Sequence, residues 1–166
     1  MLAGRADFYS DPKACYKFLY AICVQYFRTK KMRDRIGAVP TPTPGSDIRR
    51  VAGLFTLVSA MKVAYRLYEE RDHRKILHFE NPTAIPLITG DQPVINLHAS
   101  YGKSVPQDLE LYYPLSPTRA MALVKASTRI PKTLTEDAVR QFNDQMVKSS
   151  HEQVFSNSVQ HLESLC

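Results

Sequence analysis

An α+β fold, with helices first and a small antiparallel sheet after them, is what this sequence predicts, and three observations predict it. Apolar residues recur at helical spacing through the first 75 residues. From residue 76 short apolar runs are separated by Pro, Gly, Asn and Asp, with no helix between them. A capping sequence at Thr133-Leu-Thr-Glu136 then opens a closing helical region. Helices grouped beside grouped strands mark the α+β class rather than a parallel α/β sheet.

Ser10-Asp11-Pro12 reads as the start of the first helix, with Ser10 as cap and Pro12 in the first turn, where no N–H is required. Phe18, Leu19, Ile22, Cys23, Tyr26 and Phe27 form its stripe. It is expected to run into a cationic last turn (Lys30, Lys31, Arg33, Arg35) and to stop at Gly37 in a left-handed conformation. The linker at 38–46 has three alternating prolines and predicts a stiff, extended connector. Asp47 then caps a second helix, whose expected buried stripe is Val51, Leu54, Phe55, Val58, Met61, Tyr65 and Tyr68.

In the second half, Ile85 to Thr89 reads as a strand and Gly90-Asp91-Gln92-Pro93 as a tight turn. Val94 to Leu97 follows as its hairpin partner or continuation. Leu109 to Tyr113 is a strand stopped by Pro114, and Arg119 to Lys125 is another. Without a helical crossover the order is antiparallel. Thr133 to Glu136 resembles a capping box for a helix with Val139, Phe142, Met146 and Val147 on its stripe. That stripe continues to Val154 and Phe155, with a break at Ser156-Asn157 before Val159, Leu162 and Leu165. The expected organisation is one domain over 1–166. It has a basic helical half (1–75), an antiparallel sheet (76–132) and C-terminal helices (133–166).

A chain of 166 residues with 44% hydrophobic and 23% charged residues can bury a core without disulfides or metal. Cys15 and Cys23 lie eight positions apart on one helix, too far to bridge, and the odd count of three points to reduced thiols in the cytoplasm. No stretch is apolar and long enough for a membrane span, and the opening residues are too polar for a signal peptide. The net charge of +6 is uneven. Residues 1–75 carry 15 Lys and Arg against seven acids (+8), and residues 76–166 carry seven against nine (−2). The basic half suits phosphate, an acidic partner, or the acidic half of a second copy.

Asp91, in a turn between apolar runs, is the sharpest candidate for a general base or metal ligand, although a turn Asp also serves by accepting backbone N–H bonds. The five histidines show no metal spacing, and no phosphate loop or nucleophile elbow occurs, so nothing calls for a cofactor. Arg28, Lys31 and Arg35, three and four apart, form a candidate patch for an anion or nucleic acid beside Tyr26 and Phe27. The bland alternative is a solvated helix end paired with Asp34.

Several segments share one order with a known family. These are Tyr26-Phe-Arg-Thr-Lys-Lys-Met-Arg-Asp34, Leu87-Ile-Thr-Gly-Asp-Gln-Pro-Val94, Tyr113-Pro-Leu-Ser-Pro117, Gln141-Phe-Asn143 and Val154-Phe-Ser156. Together they resemble the bacterial Domain of Unknown Function 4238 family. Gly90 and Gln92 stand where that pattern has Ser and Asn, and the family's N-terminal His-x-x-Pro-x-x-Tyr-Leu segment has no counterpart here. The resemblance supports the fold and offers candidates, not a reaction. The enzymatic alternative is a metal-dependent hydrolase or nuclease with Asp91 and Asn143, or Asp91 and a histidine, as candidate catalytic residues. The leading expectation is instead a binding or interaction domain, non-catalytic or a partial family member, that forms a homo-oligomer. Nucleic-acid binding through Arg28, Lys31 and Arg35 is the further alternative.

Overall fold

A computed structural model describes residues 7–38, 48–99 and 108–163. The fold is α+β, as the sequence predicts, and it falls into two compact units, 1–71 and 72–166.

The first unit is helical. After a single turn, α1 (Asp7–Ser10), comes α2 (Pro12–Phe27). Its cap is Asp11 rather than Ser10: the Asp11 carboxylate accepts the Ala14 N–H at 2.7 Å. The helix does not continue into the cationic segment. It breaks at Arg28-Thr29, and Thr29, in extended conformation, accepts the Met32 N–H to cap a separate helix, α3 (Lys30–Gly37). A Thr side chain that satisfies a helix-start N–H competes with continuous helix, which is why the chain breaks there. Gly37 lies inside α3, and Ala38 ends it in a right-handed conformation (φ −85°), so the expected left-handed glycine stop does not occur. The rest of the Pro-rich linker and Asp47 lie outside the described residues.

The fourth helix, α4 (Ile48–Glu69), packs against α2 and α3, and it does so with the face opposite to the expected one. Buried are Ala52, Thr56, Ala60, Ala64 and Leu67, while Val51, Leu54, Phe55, Val58, Met61 and Tyr65 are exposed. Ridges of small residues let helix axes approach closely. The α2 side of this contact supplies Cys15, Leu19, Ile22 and Cys23, all buried. Both cysteines are free, and burial pushes the Cys23 thiol up to about 12.

A short 3-10 turn (Arg71–His73) leads into the second unit. There β1 (Arg74–Glu80), β5 (Arg119–Lys125), β4 (Leu111–Ser116) and β3 (Ile95–Asn96) form an antiparallel sheet in that spatial order. Phe79 faces Ala120 and Leu77 faces Ala122 across the β1–β5 ladder. These residues join Tyr112 and Val124 in one core with Val139 and Met146 of α5 (Glu136–Ser149). Phe142 of α5 stacks on Tyr112 with ring centroids 4.4 Å apart and 2° between planes. Burying each such large side chain stabilises the fold by roughly 1.5–3 kcal/mol.

Four expectations change here. The segment 85–97 is not one hairpin: β2 (Thr89–Gly90) pairs with β6 (Val154–Phe155), whereas β3 pairs with β4. Pro114 does not stop β4. The strand runs through it with a register shift between Pro114 and Ser116, which leaves Leu115 unpaired and exposed. The cap of α5 is Thr135, whose hydroxyl accepts the Ala138 N–H, rather than Thr133. Val154 and Phe155 form a strand, not a continued helix, before the short α6 (Val159–Glu163). Leu165 lies outside the described residues.

Candidate functional site

The turn at Asp91 reaches across the second unit to the chain that leaves α5. Its two carboxylate oxygens accept the backbone N–H groups of His151 and Glu152, each at 2.8 Å, and its own N–H donates to the Gln153 carbonyl at 3.1 Å. Burial works to raise the Asp91 carboxyl, but the backbone N–H groups of His151, Glu152 and Gln153 hold it below the usual carboxylate range. These bonds draw residues 151–155 into an extended path and so set up the β2–β6 pairing. They also account for the departure at Gly90: a Cβ there would lie 2.0 Å from Ser150 Oγ and 3.0 Å from the Gln153 carbonyl. Only glycine fits beside Ser150 without a shift.

Asn143 is 2% exposed and takes the role of a missing strand. Its Oδ1 accepts the Ile88 N–H at 3.1 Å and its Nδ2 donates to the Pro86 carbonyl at 2.9 Å. The same Nδ2 lies 3.1 Å from His161 Nε2. With that nitrogen accepting, the ring is neutral and carries its proton on Nδ1. Burial, then the charge of Arg140, lowers the His161 pKa, which agrees with that assignment.

Asp91 and Asn143 thus anchor the two ends of one segment, 86–91, against α5 and the chain after it. Beside that segment lies a cleft lined by Leu87, Ile88 and Thr89, by Pro114 to Pro117, and by Phe155, Ser156 and Asn157. Three of the segments that carry the family resemblance meet there. Its lining holds no acid, base or cation, and the hydroxyls of Ser116 and Ser156 accept the N–H groups of Thr118 and Ser158 in their own turns. Among the described residues no group of three His, Cys, Asp or Glu is placed to hold a metal ion.

Sequence reasoning missed the buried polar groups. Glu110, 5% exposed, receives the Lys125 N–H at 2.9 Å, the Thr128 hydroxyl at 2.6 Å and His98 Nε2 at 3.0 Å. Burial alone would raise its carboxyl, and these donors hold it below the ordinary value. Nearby, Lys125 pairs with Asp108, whose carboxyl is lowered first by that lysine. Asn96 accepts the Glu110 N–H at 3.0 Å and donates to the Asp108 carbonyl at 2.9 Å. Asn81 binds the carbonyls of Ile85 and Pro117. No spacing rule marks such residues.

The predicted cationic patch is divided by the helix break. Arg28 is the exposed C-cap residue of α2, whereas Lys31 and Arg35 lie four apart on α3. In α3 Lys30 pairs with Asp34 at 3.5 Å. No curated protein and no solved structure matches the chain. A family model described as Protein of unknown function (DUF4238) does match, over residues 52–160, which takes in the cleft, Asp91 and Asn143 but not the segment 26–34. The chain belongs to that family.

Proposed function

We propose that this protein is a non-catalytic interaction domain that associates with a second copy of itself through the exposed face of α4. The observation that carries the reading is the row Val51, Leu54, Phe55, Val58 and Met61, each between 38% and 62% exposed and spaced at helical intervals. An amphipathic helix needs one apolar stripe, and α4 has two, so its second stripe calls for a second partner. No helix among the described residues is long and apolar enough to cross a membrane. With Leu57 and Tyr65, the exposed area amounts to on the order of 600 Å² per chain. Two copies face to face would bury on the order of 1,200 Å², the lower edge of stable interfaces. An isologous pairing about a two-fold axis is the simplest closed arrangement for two identical faces.

Support for binding over hydrolysis comes from the occupation of Asp91 and Asn143 by backbone groups. Light scattering after size exclusion tests the reading. The expected result is a dimer that Leu54→Glu with Phe55→Glu converts to a monomer, with helical circular dichroism retained. A wild-type monomer at every concentration up to the millimolar range, or a double variant that stays dimeric, overturns it.

A further inference from the structure

Beyond self-association, we infer that the first unit carries a single-stranded nucleic-acid site. It lies in the groove between α2 and the C-terminal part of α4, not at Arg28, Lys31 and Arg35. The groove is lined by Tyr16, Met61, Lys62, Tyr65, Arg66 and Glu69. On α2, Lys13, Tyr16, Lys17 and Tyr20 share a face by their spacing of three and four. Tyr16 stacks on Tyr20 with ring centroids 6.4 Å apart and 11° between planes, and meets Tyr68 of α4 edge-on at 5.8 Å. On α4, Lys62 and Arg66 sit one turn apart, flanking Tyr65, which is 55% exposed.

The state of the cations separates this surface from an ordinary solvated helix. Lys30 with Asp34, Arg140 with Glu136 and Lys148 with Asp144 all form i,i+4 ion pairs. Lys13, Lys17, Lys62 and Arg66 have no carboxylate partner among the described residues, and Glu69 is the one acid in the groove lining. Lys62 and Arg66 in the groove, with Lys13 and Lys17 on the α2 face that carries half-buried Tyr16, and the exposed Tyr65 ring supply both parts that single-stranded binding uses: phosphate neutralisation and a stacking surface that accepts any base. An acidic protein segment would use the cations alone and leave the rings without a task. A duplex offers no free base faces to Tyr65.

The test is fluorescence anisotropy of the full chain with a fluorescein-labelled 20-nucleotide oligothymidylate. With about four phosphates neutralised, affinity is expected to fall roughly 50-fold between 50 and 200 mM NaCl. Lys62→Glu with Arg66→Glu should weaken binding more than tenfold. Tyr65→Ala should weaken it about tenfold, and Tyr65→Phe should restore it. All three positions are exposed, so the melting temperature should not move. Met61 and Tyr65 belong to both surfaces, so the proposed dimer and the nucleic acid compete for them. Leu54→Glu, which breaks the dimer but spares the groove cations, should bind at least as tightly as wild type, and this keeps the two readings distinguishable. Absent binding overturns the inference, as does binding indifferent to the charge reversal. So does equal displacement by polyglutamate with no effect of Tyr65→Ala, which would assign the groove to an acidic protein.

Discussion

Asp91 and Asn143 are side chains of the kind that catalysis uses, yet each holds backbone that has no strand to pair with. The Asp91 carboxylate serves two N–H groups, and those bonds are charge-assisted. Asp91→Asn keeps the shape but replaces one acceptor with an N–H₂ that faces a donor. It should cost about 1–2 kcal/mol, read as a lower urea midpoint with unchanged slope, because hydrogen bonds to charged groups are worth about that much when partly exposed. A variant with native stability would mean that the bonds to His151 and Glu152 contribute nothing, and the carboxylate would again be available as a base. Asp91 was legible as a candidate because an acid in a Gly-Asp turn stands out, and Asn143 entered through the segment Gln141-Phe-Asn143 that resembles the family. Their partners were not, because they lie 60 and 55 positions away (Asp91 to His151, Asn143 to Ile88) and no local pattern reports such distances.

Element by element, what was legible depended on whether one physical signal acted alone. β5 was bounded correctly as Arg119 to Lys125, since a turn at Pro117 and an uninterrupted apolar run agree. The position of α4 was also legible, but its orientation was not. The larger side chains at Leu54, Phe55 and Met61 outweigh alanines in any reading of periodicity, and close helix packing favours the alanines. The same limit applies to β6, which looks like a helix continuation until Asp91 captures residues 151 and 152. The assignment of faces on α4 can be checked by two substitutions. Ala60→Leu, on the face packed against α2, should destabilise by about 1–3 kcal/mol through overpacking, whereas Val58→Ala on the exposed face should change stability by less than about 0.5 kcal/mol in the monomeric background. The reverse ranking in urea melts would mean that the larger residues form the core.

Across the whole molecule, charge and titration divide along the chain as the folds do. The first 75 residues carry the excess of cations. The carboxylates held below their ordinary range, Asp91, Asp108 and Glu110, all lie in the second unit, as does the lowered His161. Each of these groups has a folded pKa below its unfolded one, so its contribution is complete above the unfolded value and is lost as pH falls through the folded value. For His161 the loss begins below about 6.5, and for the carboxylates below about 4. Thermal melts from pH 8 to pH 3 should therefore show two descents. The first belongs to the neutral imidazole that accepts from Asn143, since protonation would set two donors against each other and release α6 from α5. His161→Gln can still meet the Asn143 amide but cannot titrate. It should abolish the descent between pH 7 and pH 5 and leave the acid one in place. If the variant keeps the first descent at full size, some other group drives it, and the Asn143–His161 contact is not what makes the second unit sensitive to mild acid.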